Sequence, residues 1–139
     1  MKKISFILFL ILSIAVNSFG QTYSFSKMVK KATVQTSNGN EQRTIGTYQG
    51  PYRFVFETPS DPSIKRLFTL LSPGQSNGPG LPWYGLLKEM GYIEKDGLLM
   101  KKYLYANTGS RENEMVIIAE DYSLIVIFKS DDTINEYYR

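Results

Sequence analysis

Hydrophobic positions change their spacing several times along the chain, and each change predicts an element. Between Tyr23 and Thr36 (YSFSKMVKKATVQT) aromatic and β-branched residues partly alternate, with Tyr23 and Phe25 two apart. Asn38-Gly39 follows, the dipeptide that supplies two positive-φ residues to a type I′ hairpin turn. A return strand is expected near Glu41–Tyr48, punctuated by Gly50-Pro51. Tyr52–Thr58 (YRFVFET) then alternates cleanly, with Tyr52, Phe54 and Phe56 on one face, as in a half-buried strand.

Past this point the spacing turns helical. Asp61-Pro62 offers an N-cap and a proline at the first helical position, and Ile64, Leu67, Phe68 and Leu71 fall at i, i+3, i+4 and i+7. The same residues could alternate in a strand, but both faces would then need burial, so the spacing predicts a helix over 64–71. The glycine- and proline-rich stretch Ser72–Pro82 (SPGQSNGPGLP) comes next and leads into the only tryptophan, Trp83. Pro82 again sits at a first helical position, Trp83, Leu86, Leu87 and Met90 repeat the spacing, and Gly91 stands where a helix would be capped. A second short helix over 83–90 is therefore expected, with the Trp83 ring turned inward to the core and the stretch 72–82 as its connector.

The last third returns to strands. Asp96-Gly97 marks a turn. Leu98–Ala106 places Leu98, Met100, Lys102 and Leu104 on one face and Leu99, Lys101, Tyr103 and Tyr105 on the other. Asn107–Asn113 is a polar loop. Met115–Ala119 (MVIIA) and Leu124–Phe128 (LIVIF) are continuous apolar runs, which suit central strands buried on both faces. A turn at Ser130–Thr133 leads to a final edge strand near Ile134–Tyr138. The expected fold is α+β: one β-rich domain over 21–139, with antiparallel sheets of about six or seven strands and two short helices inserted between N-terminal and C-terminal hairpins.

The segment before that domain has a different character. Lys2 and Lys3 precede an apolar run, Ile4–Val16, and Ser18 and Gly20 occupy the small-residue places of a cleavage site. That order reads as a signal peptide over 1–20 rather than a spanning helix, which needs about 20 apolar residues. Export follows as an expectation, to a periplasmic or extracellular location, with no integral membrane span after removal. The charge changes with it. Without Lys2 and Lys3 the 16 basic residues fall to 14, against 13 acidic ones, so no basic footprint for nucleic acid remains. The pairs Lys30-Lys31 and Lys101-Lys102 read as solvated strand edges that discourage aggregation. The chain has no cysteine. An exported domain of this kind holds together by its core alone, and attachment of a lipid through cysteine is excluded, so a lipoprotein is not expected.

Composition also narrows the chemistry. With neither histidine nor cysteine, Ser-His-Asp and Cys-His catalysis and ordinary zinc sites are excluded. The run GQSNGPG lacks the lysine and the strand–helix context of a phosphate loop. No catalytic residue, metal site or cofactor is expected. Aromatic side chains remain as the positive signal, because tyrosine and tryptophan offer a rigid surface with a polar tip. The candidate ligand-binding residues are Trp83, Tyr84, Tyr52, Tyr103 and Tyr105. The reading that follows is a non-catalytic, exported binding or envelope-associated module, its partner an envelope or extracellular protein or a glycan. Two alternatives use other features: a carboxylate-only glycan hydrolase or lyase, which needs two facing acids, and a secreted inhibitor presenting the 72–82 loop.

Overall fold

A computed structural model of the chain describes residues 20–57, 61, 63 and 65–139. The proposed signal segment, apart from Gly20, lies outside the described residues. Eight strands follow in order: β1 (Gln21–Thr36), β2 (Gly39–Glu57), β3 (Lys65–Leu71), β4 (Tyr84–Lys95), β5 (Leu98–Asn107), β6 (Glu112–Ala119), β7 (Leu124–Phe128) and β8 (Thr133–Tyr138). Each pairs antiparallel with the next, and β8 pairs with β1 from Lys27–Tyr138 to Ala32–Thr133, so the sheet closes into a barrel.

No helix occurs among the described residues, which corrects the α+β expectation and both predicted helices. The reason lies in what covers each face. In β3, Phe68 and Leu70 point into the barrel opposite Phe56 and Phe54. Leu71 and Thr69 point outward, yet Leu71 is fully buried and Thr69 nearly so, and the 72–83 connection runs along this outer wall beside Leu67 and Thr69. Both faces of the strand are buried after all, and helical spacing was a coincidence of two buried faces. In β4, the hairpin turned at Asp96-Gly97 pairs with β5 all the way back to Tyr84–Asn107. Those ladder bonds satisfy the backbone that a helix over 83–90 would have satisfied internally, and Leu87 and Met90 are left exposed.

The remaining elements follow the sequence pattern with three changes. Asp96 and Gly97 both take positive φ, at 52° and 76°, as a type I′ turn requires. At the first hairpin Thr36 pairs with Gly39, so Ser37-Asn38 form the turn; Gly39 alone has positive φ, and β2 runs on through Gly50-Pro51 with a bulge. The last strand is no edge, because β8 seals the barrel between β7 and β1. Nor do the lysine pairs guard edges. Lys31 lies on a wall strand with its ammonium 2.5 Å from Glu136, and Lys101 is 3.1 Å from Glu89.

An eight-stranded barrel has an interior just wide enough for side chains to fill, and here aromatic rings fill it. Phe68 is stacked on Tyr84 at 4.3 Å and meets Tyr105 edge-on at 5.0 Å. Phe54 meets Phe25 at 5.1 Å and Tyr137 at 4.9 Å, both edge-on. Val116, Ile118, Ile125 and Ile127 complete the layer. A second, smaller cluster of Met100, Ile117, Ala119, Val126 and Ile134 is buried on the outward positions of β5–β8. It accounts for the continuous apolar runs of β6 and β7, where both faces are buried as their composition predicts.

Candidate functional site

The connection 72–83 is the longest between two strands of the barrel wall, and it is tied down at both ends. Near its start the Ser72 N–H donates to Gln75 Oε1 at 2.9 Å, the Gln75 N–H donates to the Ser72 carbonyl at 3.0 Å, and the Arg53 guanidinium donates to the Gln75 carbonyl. At its end the Trp83 N–H donates to Thr108 Oγ1 at 2.9 Å, and the Thr108 N–H donates back to the Trp83 carbonyl at 3.1 Å. Gly74 and Gly80 adopt φ of +84° and +86°, values that side chains resist, which lets the strap reverse twice.

Neighbouring residues of a strand face opposite sides, and this separates Trp83 from Tyr84. Tyr84 enters the barrel. Trp83 lies outside, 38% exposed, with its ring against Gly85: a Cβ at Gly85 would stand 2.8 Å from Trp83 Cζ3. The inward tryptophan expected from the helical stripe is thus replaced by an outward one, because the stripe belongs to a strand. Between the ring, the strap at Asn77–Leu81 and the outer wall at Glu57, Leu67 and Thr69 is an open cleft of about 450 Å³. Trp83 gives the lining its aromatic ring, Leu67 and Leu81 aliphatic surface, and Glu57, Thr69 and Asn77 a carboxylate, a hydroxyl and an amide.

On the inner side of the same strap a second cavity, of about 310 Å³, opens at the barrel mouth against Leu70, Leu81, Tyr84, Asn107 and Lys129. Its polar base is a connected set. Asn107 Nδ2 donates to the Tyr84 hydroxyl at 3.0 Å and to Glu114 Oε1 at 2.9 Å, and Lys129 Nζ donates to the same oxygen at 2.9 Å. Asn107 Oδ1 accepts from the Gly109 N–H at 2.9 Å, which fixes the β5–β6 turn to the set. Glu114 is 1% exposed, and its Oε2 has no protein partner. Burial, reinforced by the Glu114 carboxylate nearby, pushes the Tyr84 phenol far above its ordinary range. The carboxylate is paired with one ammonium and held by one amide.

The opposite mouth holds Tyr103. Arg66, itself at a positive φ of 42°, reaches the Tyr103 hydroxyl at 3.4 Å, and the Lys101 ammonium lies 5.4 Å from the Tyr103 and Tyr92 rings. These side chains, with Tyr122 and Ile118, border a cavity of about 200 Å³. Tyr105 is fully buried and Tyr52 nearly so, edge-on to Tyr137 at 5.4 Å. Of the five aromatic candidates, then, Trp83 alone offers its ring to solvent. Tyr84 and Tyr103 line cavities at opposite ends, while Tyr52 and Tyr105 are core.

Sequence reasoning missed Gly85, Asn107 and Lys129, and counted Glu114 only among the carboxylates open to a glycan hydrolase, not among the ligand-binding candidates. Glu114 carried a usable signal: it precedes Val116 and Ile118 on the same strand face, so a carboxylate continues a buried apolar stripe. Comparison of the chain with protein-family models, with curated proteins and with solved structures gives no match in any of the three.

Proposed function

We propose that this chain is an exported, non-catalytic binding module that takes the ring of a glycan against Trp83 in the cleft beneath the strap. The observation that supports it is the half-open position of the only tryptophan, seated on Gly85 beside a cleft of about 450 Å³. A sugar ring has apolar C–H faces and a hydroxyl rim. The indole suits the first. The Glu57 carboxylate, Thr69, Asn77 and the strap backbone suit the second. A concave site with an aromatic wall and a few polar groups that can fix orientation is a common form of small-ligand site. The lysine-led apolar segment at the N-terminus supports export, which would bring the cleft to envelope or extracellular glycans.

The test is a titration of cello-, chito- and peptidoglycan-derived oligosaccharides, read by tryptophan fluorescence and by calorimetry. Saturable quenching is expected, weakened about 30-fold or more by Trp83→Ala if the ring is the anchor. Binding that survives Trp83→Ala unchanged, or none to any of the three classes, would falsify the proposal.

A further inference from the structure

The closed barrel carries two two-stranded arms whose outer edges are open. Strand β8 covers β1 only from Lys27 to Ala32, and β3 covers β2 only from Arg53 to Glu57. The β1–β2 hairpin therefore projects past the wall with β2 uncovered from Gly39 onward. Likewise β3 pairs with β4 only as far as Leu86, leaving β4 open beyond it.

The two edges are not alike. Open strand edges invite pairing with another chain, and proteins blunt them with bulges, charges or proline. The β4 edge is blunted: its register shifts twice against β5, between Leu86 and Lys88 and between Glu89 and Tyr92, and Gly91 takes φ of +92°. The β2 edge from Gly39 to Thr44 has neither bulge nor proline, and its two charges, Glu41 and Arg43, are of opposite sign. It runs in unbroken register against Thr36–Lys31, and every residue from Gly39 to Ile45 is exposed.

We infer that this edge joins a second copy of the chain, with the two β2 strands antiparallel across a two-fold axis at Gln42. Register and charge together select that axis. Thr36 and Gly39 close the turn as a hydrogen-bonded pair, so alternation along the ladder sends the N–H and C=O of Asn40, Gln42 and Thr44 to the open side. Centred on Gln42, Asn40 of each copy meets Thr44 of the other and Gln42 meets itself, giving about six main-chain hydrogen bonds. Glu41 then stands opposite Arg43 of the second copy, twice, in the closer, non-hydrogen-bonded type of pair. Within one copy these two side chains already share a face, 3.1 Å apart and exposed. An isologous contact requires a self-complementary patch, and the sequence Glu41-Gln42-Arg43 is one.

Sedimentation velocity from about 1 µM to about 1 mM should show a monomer–dimer equilibrium. Glu41→Arg and Arg43→Glu each place like charges across the axis, and each should weaken self-association about ten-fold. Mixing the two variants should restore it, because every cross-axis pair in the mixed dimer is again opposite in charge. An effect confined to the single chain cannot produce that recovery, since both chains keep their internal like-charge pair. In a chain without cysteine, Gln42→Cys should form a disulfide-linked dimer on mild oxidation, as paired residues across a ladder lie about 5.5 Å apart. Circular dichroism confirms that each variant is folded. A wild-type monomer up to the highest concentration, no recovery on mixing, or a folded Gln42→Cys chain that fails to crosslink would each overturn the inference.

Discussion

Removing the Lys129 ammonium tests the polar base of the strap-side mouth. Lys129→Ala leaves the Glu114 carboxylate, 1% exposed, with Asn107 as its single remaining donor. Breaking a buried ion pair from one side costs about 3–5 kcal/mol, because the other charge stays behind uncompensated. The Lys129 side chain is itself 28% exposed, so water can take part of its place, and the expected loss is about 2–3 kcal/mol. For a domain of this size that lowers Tm by roughly 8–12 °C. Glu114→Gln removes the charge and keeps an acceptor for Asn107, and should cost about 1 kcal/mol. With no charge left to strand, the double variant should cost little more than Glu114→Gln, a coupling of about 2 kcal/mol. Urea unfolding at neutral pH, followed by far-UV circular dichroism, measures all four proteins. A loss under about 0.5 kcal/mol for Lys129→Ala, or strict additivity in the double variant, would show that the pair is solvated and not the anchor described.

Three further outcomes are expected. Phe68→Ala removes the ring that stacks on Tyr84 and meets Tyr105, Phe54 and Phe56, and should destabilise by about 4 kcal/mol in the same unfolding assay. Gly85→Ala puts a methyl 2.8 Å from the edge of the Trp83 ring; the indole must tip, so its emission maximum should shift while Tm changes little. Burial holds the Tyr84, Tyr105 and Tyr137 phenols far above their ordinary range. In the unfolded chain they ionise near pH 10, so their contribution is intact below that pH and is lost as the pH rises above it. Each then removes about 1.4 kcal/mol per pH unit. Urea midpoints should fall steeply from about pH 10 upward, and flat midpoints there would contradict the interior placement of these hydroxyls.

Where one local signal decided an element, the sequence was readable. Asp96-Gly97 specified its hairpin turn through backbone chemistry that no distant contact could easily override, and MVIIA and LIVIF announced strands buried on both sides. The alternation of Phe54 and Phe56 survived into the barrel interior unchanged. Failure came where one pattern served two geometries. Leu67, Phe68 and Leu71 fit one helical stripe as well as two faces of a strand, and only tertiary contacts bury the outward face at Thr69 and Leu71. Whether that cover exists is a contact between segments, which spacing does not encode.

The candidate site divides in the same way. The sequence by itself determined that neither histidine nor cysteine contributes to any site, because the chain has none, and that sixteen rings follow Gly20. It also determined that Trp83 and Tyr84 adjoin a long, permissive loop. Tertiary structure decided which ring meets solvent. Strand geometry turns consecutive side chains to opposite faces, so Tyr84 enters the barrel and Trp83 leaves it. Closure then brings Asn107, Glu114 and Lys129 from three separate positions to one mouth. Periodicity reports which faces are apolar; only the pairing of strands decides which face is inside, and what stands across from it.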